Sequence, residues 1–356
     1  MNINNKFVWD QYSDQPYPIA DKTFKKMMRK KHIWDYLPLL GTNLILFPLS
    51  IFVMKLFRKK PKENDIYFYG MGINLDKGLE QIELIEELGV KSLIFRVPLC
   101  DIDNLDSYYE FLTKFNLKDK KVLINIVQDR ENIEDTELLK INIYKIFSKF
   151  ENITHEFQIG TTINRTKWGF FSIKEYLNFY KTIQNIRDNS FKSILLIGPS
   201  VIDFEYHYTI RALFNNFKIK YDKISSLLYV DRRGAPQNKQ MVIFDTKNKI
   251  DMLYSLVKLS PKTKTDDIYI TEVNWPLSGT APYAPTSEKE CVSEELYAKY
   301  MVDYFDIAQQ SGKIKRVFWH QLIAAGYGLV DNRDGNIRKT KAFYELKNLI
   351  AKNIVK

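Results

Sequence analysis

The stretch "IYITEVNWP" at residues 268–276 has the pattern of a buried strand that ends in polar and reactive side chains. Its apolar and β-prone residues lead to a single acid, Glu272, which is followed by Asn274 and Trp275. A strand end exposed to solvent would account for a lone carboxylate. A barrel strand that holds an acid at the barrel mouth, beside an aromatic wall, would account for it as well. The rest of the chain separates these two interpretations.

Strand-like runs alternate with amphipathic helical segments from residue 65 onward. The runs predict strands at 66–73, 92–99, 121–127, 155–160, 193–200, 224–230, 268–274 and 316–322. The spacing of apolar residues predicts helices at 75–89, 131–147, 173–187, 206–217, 293–310 and 340–351, and one near 249–259. Eight strands alternating with about eight helices are typical of a (β/α)₈ TIM barrel, in the α/β class.

A doubly wound sheet would show the same alternation. However, "GMGINLDKG" at residues 70–78 has Gly70 and Gly72 but lacks a third glycine at the spacing of a phosphate-binding loop. The barrel is therefore the predicted fold. Catalytic residues of such barrels lie at the carboxyl ends of the strands.

The positive charge of the chain is concentrated at its N-terminus. The net charge is +10 for 356 residues, and residues 1–62 hold twelve Lys/Arg against four Asp/Glu, which leaves the remaining chain close to neutral. This distribution argues against nucleic acid as a partner of the main domain. Two cysteines provide no disulfide framework, and four histidines show no zinc-ligand spacing, so no metal or cofactor is predicted.

The N-terminal segment also contains eighteen residues without a charge, "LPLLGTNLILFPLSIFVM" at 37–54. It is flanked by "KKMMRKK" at 25–31 and by a second basic cluster at 55–62. The length is close to the roughly 20 apolar residues of a spanning helix, and we predict a membrane anchor, spanning or re-entrant. A hairpin packed on the main domain, or a segment lying against anionic lipid, are the alternatives. The expected division is residues 1–64 as the anchor segment and 65–356 as the barrel.

The predicted strand ends carry polar, amide-rich and aromatic side chains. This combination suits sugars, because hydroxyl groups take planar hydrogen-bond partners and a pyranose ring stacks on indole. Any one of these side chains could equally belong to the core, to a structural ion pair or to a solvated loop. The candidates are Arg96, Asn164, Trp168, Tyr229, Asp231, Glu272, Asn274, Trp275, Trp319, His320 and Gln321.

Residues 65–350 resemble the (β/α)₈ glycoside hydrolases of the clan A superfamily. The resemblance rests on Arg96, "LLYVDRRGAP" (227–236), "YITEVNW" (269–275), "VFWHQL" (317–322) and "GYGLVD" (326–331). It implies that Glu272 is the nucleophile, that Tyr229 and Arg96 hydrogen-bond its carboxylate, and that Trp319 forms the floor of the sugar subsite. The final segment is similar to barrel hydrolases that act on bacterial polysaccharides.

The chain departs from this superfamily at strand four, which ends in Asn-Glu in its members, the Glu being the general acid/base. Here Thr161 and Thr162 occupy that place, within "FQIGTTINRTKWG" at 157–169. A threonine hydroxyl cannot protonate a leaving oxygen at physiological pH, and retaining chemistry uses two carboxyl groups about 5–5.5 Å apart. Glu156 lies too far down the strand to replace the acid. Asp203, Asp231 and His320 could approach from neighbouring strands.

The sequence therefore predicts a membrane-associated glycoside-hydrolase-like protein of the bacterial inner membrane, with the barrel on an undetermined side. Its predicted partners are membrane lipid, through the N-terminal segment, and a cell-surface glycan or lipid-linked saccharide. The favoured activity is O-glycosyl hydrolysis or transglycosylation. A carbohydrate-binding protein without activity, or a scaffold for envelope polysaccharide assembly, is the alternative, because the strand-four acid is missing.

Overall fold

A computed structural model describes residues 6–61 and 65–355 and has a closed barrel of eight parallel strands. The last strand pairs with both the seventh and the first, which closes the barrel. The predicted TIM barrel is thus confirmed, and each predicted strand is found within a few residues. The strands are β1 (Tyr69–Ile73), β2 (Ser92–Pro98), β3 (Lys121–Val127), β4 (Glu156–Ile159), β5 (Leu195–Ile202), β6 (Lys223–Leu227), β7 (Ile268–Val273) and β8 (Ile314–Trp319).

Helices surround the barrel, and several begin where a side chain caps the first turn. Ser172, Asp245 and Ser293 each accept a hydrogen bond from the backbone N–H three residues on, which satisfies an otherwise unpaired donor. The sequence did not predict the helix at Leu105–Thr113. The helices are α1 (Lys22–Lys31), α2 (Tyr36–Val53), α3 (Glu80–Leu88), α4 (Leu105–Thr113), α5 (Arg130–Glu134), α6 (Thr136–Phe150), α7 (Ile173–Ser190), α8 (Tyr206–Leu213), α9 (Thr246–Leu259), α10 (Glu294–Gln310) and α11 (Lys341–Val355).

A buried polar network fills the end of the barrel interior opposite the mouth. Glu156 accepts hydrogen bonds from Arg316 (2.6 Å), from the Tyr269 hydroxyl (3.0 Å) and from Lys223. Burial raises the pKa of the Glu156 carboxyl, but Arg316 and Lys223 outweigh it and hold the pKa below its ordinary value. Glu156 is therefore a structural carboxylate, remote from the mouth as its position in β4 indicated.

We expect Glu156→Ala to lower the free energy of unfolding by about 3–5 kcal/mol, because it leaves the charges of Arg316 and Lys223 buried without a partner. Urea denaturation followed by circular dichroism measures the change. The matched control is Glu137→Ala, since Glu137 pairs with Lys140 on the exposed face of α6 and such pairs contribute little. Equal stability of the two variants would contradict the assigned role of the network.

A bulge in β7 turns Glu272 toward the barrel axis. Along β8 the paired positions advance from Val317 to Trp319, whereas along β7 they advance from Ile270 to Val273, so β7 contains one extra residue. Strict alternation would place Tyr269 and Glu272 on opposite sides of the strand. Because of the bulge, both side chains face the barrel interior. Tyr269 belongs to the buried network, and Glu272 lies at the mouth.

The N-terminal segment is packed against the barrel. Helix α2 lies along α8 and α9. The Asn43 side chain of α2 donates to the His207 carbonyl of α8 (3.0 Å). Lys55, just after α2, pairs with Asp251 of α9 (2.8 Å). Upstream, the short antiparallel pair Trp9–Asp10 and Gln15–Pro16 covers one side of the barrel mouth. Parts of residues 6–61 are thus a structural element of the barrel unit.

Among the described residues, one helical stretch, Ile33–Val53, has the length and apolar composition needed to cross a membrane. A core helix or a signal sequence would meet the same criterion. Only 11% of its most apolar window is buried, which is unlike a core helix.

Candidate active site

Glu272 lies at the centre of a hydrogen-bonded group at the carboxyl end of the barrel. Its Oε1 accepts a hydrogen bond from the Tyr229 hydroxyl (2.7 Å), and its Oε2 accepts one from the Arg96 guanidinium (2.8 Å). Glu272 as a whole is 9% exposed. The structure therefore brings together Arg96, Tyr229 and Glu272, as the resemblance to the superfamily implies.

Three different strands deliver these side chains. Arg96 comes from β2, where it pairs in register with Asn125 of β3. Tyr229 follows β6 by two residues, and the Arg233 guanidinium stacks on its ring at 3.6 Å from the centroid. Two oxygens held by two donors keep the Glu272 carboxylate in one orientation, as a nucleophile requires.

The electrostatics of the group keep Glu272 ionised. Burial raises the pKa of this carboxyl, but His320, Arg96 and the hydrogen bond from Tyr229 outweigh burial and hold the pKa below its ordinary value. Burial and the neighbouring Glu272 raise the pKa of Tyr229 well above its usual range, so its hydroxyl keeps its proton. Burial also lowers the pKa of His320 to about 4, which leaves a neutral imidazole at neutral pH.

These shifts predict how a pH profile responds to Tyr229→Phe. Because Glu272 must be ionised to react, its reactivity is present above its pKa and is lost as the pH falls through it. Removing the Tyr229 hydroxyl takes away a hydrogen bond to the charged form, so the pKa of Glu272 rises and the acid limb moves to higher pH. A hydrogen bond to a charged group contributes about 1.5–3 kcal/mol, so its loss should move the acid limb measurably. The measurement is the rate of covalent labelling of Glu272 against pH, and an unmoved limb would contradict the assigned hydrogen bond.

A cavity at the mouth surrounds the Glu272 group. Of the other predicted site residues, Trp168, Asn274 and His320 line it. The Asn274 amide donates to the His320 carbonyl (2.6 Å), and the His320 ring stacks on Tyr327. The complete lining is Ser13, Asp14, Gln15, Arg96, Thr162, Arg165, Lys167, Trp168, Ile202, Asp203, Tyr229, Arg233, Glu272, Asn274, Pro285, Thr286, His320 and Tyr327.

Trp319 and Trp275 do not line this cavity. This corrects the expectation that Trp319 forms the floor of the sugar subsite. Both are fully buried in the layer between strands and helices, where their rings stack at 5.8 Å between centroids. The Trp319 indole N–H donates to the Tyr297 hydroxyl (2.7 Å), and that of Trp275 donates to the Gly234 carbonyl (3.0 Å). Successive residues of a strand face opposite sides. His320, which directly follows Trp319 at the end of β8, therefore faces the cavity.

Three further predicted residues also lie outside the cavity lining. Asn164 exchanges hydrogen bonds with the backbone of Ile202 and donates to Glu205 (2.7 Å), so it fixes the loop after β4. Gln321 is 1% exposed and donates to Asp14 and Tyr327. Asp231 lies near the mouth without lining the cavity. The first two act as supports of lining residues in this structure rather than as substrate contacts.

Sequence reasoning missed the contribution of the N-terminal hairpin to the site. Asp14 accepts hydrogen bonds from the Tyr327 hydroxyl (2.8 Å) and from Gln321, and it pairs with Lys77 at 2.9 Å. The Gln15 amide accepts a hydrogen bond from Lys167 (2.6 Å). The aromatic and turn-forming residues of "WDQYSDQP" at 9–16 were the available signal, but nothing local in them identifies a partner hundreds of residues away.

The end of β4 holds no carboxyl group. Thr162 lines the cavity in a left-handed backbone conformation (φ 50°), whereas the Thr161 hydroxyl is buried away from it without a hydrogen-bond partner. The carboxylates in the lining are Asp14, Asp203 and Glu272. Asp203 is paired with Arg165 at 2.7 Å. Among the described residues, no group of three or more His, Cys, Asp or Glu side chains is placed to hold a metal ion.

No protein-family model matches the sequence, and no curated protein matches it. Solved structures with the same fold do exist. A β-glucosidase from Thermotoga maritima in complex with deoxynojirimycin aligns with a TM-score of 0.59 and 13% identity, covering 84% of this chain and 99% of that one. A GH39 β-xylosidase from Caulobacter crescentus aligns with a TM-score of 0.56 and 12% identity, covering 83% and 73%. The resemblance to glycoside hydrolases is thus confirmed at the level of the fold.

Proposed function

We propose that this glycoside-hydrolase-like barrel is a membrane-associated protein that acts on a bacterial cell-surface glycan or a lipid-linked saccharide, with Glu272 as the nucleophile. One observation carries the proposal. An ionised, buried carboxylate is oriented by Arg96 and Tyr229 at the base of a cavity, at the barrel end where catalytic residues of this fold lie.

In the proposed reaction the Glu272 carboxylate attacks the anomeric carbon of a bound sugar. The bond from that carbon to the leaving oxygen breaks, and a glycosyl ester of Glu272 remains. A hydroxyl group of water or of a second sugar then attacks the same carbon, the ester bond breaks and the carboxylate is released. The proton of that hydroxyl balances the one that the leaving oxygen takes up when it departs with its electron pair. Arg96 and Tyr229 hold the carboxylate in line during both steps, while Trp168 and Asn274 contact the sugar from the cavity wall.

The absence of a carboxyl group at Thr162 favours a second candidate function. Without an acid to protonate the leaving oxygen, a natural glycoside would bind and remain intact. The protein would then act as a carbohydrate-binding protein or as a scaffold in envelope polysaccharide assembly. In the scaffold case another protein would cover the cavity mouth.

The experiment that separates the two functions is mass spectrometry after exposure to a panel of 2-deoxy-2-fluoroglycosyl fluorides. Fluoride leaves without protonation, so a functional nucleophile forms a stable ester even when no acid is present. We expect a mass increase on the peptide that contains Glu272 for at least one sugar. Sugars that bind but never label Glu272 would remove the enzymatic function and leave the binding function.

The shape of the N-terminal segment supports the membrane part of the proposal. One side of α2 packs on the barrel through buried Leu39 and Ser50. The other side exposes a row of large apolar side chains, and the basic helix α1 precedes it. A helix held along a folded domain in this way suits burial in the plane of an anionic bilayer surface. The exposed side chains of this apolar row are Leu37, Leu40, Leu44, Ile45, Leu49, Phe52 and Leu56.

We expect Leu44→Glu and Phe52→Glu each to weaken binding of the full chain to anionic vesicles by roughly tenfold or more, because each removes a large side chain from the lipid contact. Both positions are at least 78% exposed, so folding should not change. Vesicle co-sedimentation measures the effect, and Ile141→Glu on α6, 55% exposed, is the matched control. Wild-type protein that detaches in high salt alone would show that its attachment is electrostatic and would contradict the apolar contact.

A further inference from the structure

The cavity contains more cationic side chains than its carboxylates neutralise. Arg96 pairs with Glu272 at 2.8 Å, and Arg165 pairs with both Asp203 and Glu205. The third carboxylate of the lining, Asp14, is paired with Lys77, which lies behind it. These pairs leave two cations of the lining, Lys167 and Arg233, with hydrogen-bonding capacity that the protein does not use.

The unused hydrogen-bonding capacity is most evident for Lys167. Its amino group donates to the neutral amide oxygen of Gln15 at 2.6 Å. Within residues 6–61 and 65–355, no carboxylate oxygen lies within 4.0 Å of it. Burial lowers the pKa of Lys167, and the neighbouring Arg165 lowers it further. An ammonium has three donors, so two N–H groups of a partly desolvated cation remain for a ligand.

Arg233, in the loop after β6, also lines the cavity with unused hydrogen-bonding capacity. Its guanidinium lies over the Tyr229 ring and is 3.6 Å from Asp203, yet its Nε is buried without a hydrogen-bond partner. Its side chain is 16% exposed. The Nη1–Asp203 distance of 3.6 Å is longer than a hydrogen bond, so the outer N–H groups of this guanidinium are available to an anion in the cavity.

One of these donors, Lys167, lies close in sequence to the place where the acid is missing. Lys167 belongs to the same loop after β4 as Thr162, on the side where the resemblance places the acid that protonates the leaving oxygen. The ammonium of Lys167 and the guanidinium of Arg233 are both placed to stabilise a leaving group that departs as an anion. Phosphate is such a group, because it leaves without a proton.

We propose that the saccharide donor of this site is a glycosyl phosphate, with the phosphate held by Lys167 and Arg233. This inference rests on the proposed function of Glu272. A Glu272 oxygen attacks the anomeric carbon, and the carbon–oxygen bond to phosphate breaks with its electron pair on the phosphate, so no proton is transferred in this step. In the second step an acceptor hydroxyl attacks the anomeric carbon and the ester bond breaks. The glycosyl phosphate reacts as its monoanion, so the departing group is the hydrogen phosphate dianion, and this dianion takes the acceptor's proton.

The test runs the first step in reverse on the full chain. After Glu272 has been labelled with a reactive 2-fluoroglycosyl fluoride, inorganic phosphate should attack the ester and release the sugar as a glycosyl phosphate. We expect release at least about tenfold faster than in chloride at matched ionic strength, with the product identified by mass spectrometry. Sulfate has the same shape but is a poor nucleophile, so it should inhibit the phosphate-dependent release.

Lys167→Met should weaken the phosphate dependence by roughly ten- to a hundredfold, and Lys167→Arg should restore most of it. Lys174→Met removes an exposed lysine of α7 outside the cavity and should change nothing. Thermal unfolding verifies that each variant is folded. Labelling without any acceleration by phosphate, or acceleration that survives in folded Lys167→Met, overturns the phosphate assignment while Glu272 chemistry stands. Failure of every fluoride to label overturns both.

Discussion

Glu272→Gln is expected to abolish covalent labelling by glycosyl fluorides, with a loss on the order of 10⁴-fold or more, and to leave sugar binding largely intact. The amide has nearly the shape of the carboxylate but is not a nucleophile. Its oxygen can still accept one hydrogen bond from Arg96 or Tyr229. Intact-protein mass spectrometry measures the labelling, and calorimetric titration with the sugar that labels the wild-type protein measures the binding.

The matched control for this variant is Asp203→Asn, because Asp203 is another carboxylate of the same cavity. It should still be labelled at Glu272, as peptide mapping would show. Label that persists in Glu272→Gln, or that maps to Asp203, would mean that the nucleophile has been assigned to the wrong strand. A loss of both labelling and sugar affinity in a folded Glu272→Gln protein would instead indicate that the carboxylate binds sugar hydroxyls.

Thr162→Glu should increase turnover of an unactivated glycoside by about 10²–10⁴-fold, the usual contribution of a general acid. The side chain at this position faces the cavity, on the strand where the resemblance places the acid/base. Activated fluorides should gain much less in the labelling step, because fluoride leaves without protonation. Steady-state hydrolysis of one sugar, compared between its natural linkage and its fluoride, separates these effects.

Thr162→Gln provides the control of equal size that cannot donate a proton to the leaving oxygen at neutral pH, and it should stay at the wild-type rate. Equal gains in the Glu and Gln variants would mean that side-chain size, rather than acidity, limits the reaction. No gain in Thr162→Glu, with fluoride labelling intact, would show that the cavity does not present a glycosidic oxygen to this position. The phosphate leaving group would then explain why no acid is needed there.

The barrel could be predicted from the sequence because its signal is local and repeated. Each strand is a short apolar run, and each intervening helix has its own apolar face, so eight independent observations agree. The resemblance to clan A hydrolases implied the hydrogen bonds of Arg96 and Tyr229 to Glu272, whereas the same regularity predicted only that the strand ends meet at one mouth. No precise side-chain direction was needed for that expectation.

The direction of individual side chains was harder to predict, and Trp319 shows why. In "VFWHQL" nearly every residue is compatible with either face of a strand, so the phase of the alternation cannot be read from residue type. The structure has Phe318 in an apolar layer inside the barrel and Trp319 against the helices. The extra residue in β7 and the contact of Asp14 with Tyr327 were also beyond prediction, because neither has a local pattern.

The N-terminal hairpin at the mouth has a consequence for the order in which the protein matures. Asp14 and Tyr327 are 313 positions apart in the chain, so a residue synthesised early binds one that is synthesised much later. Contacts of such large sequence separation form late in folding. The cavity is therefore complete only when the chain has been made as far as Tyr327 and the barrel has closed. A truncated product of interrupted synthesis would contain Glu272 without a finished pocket around it.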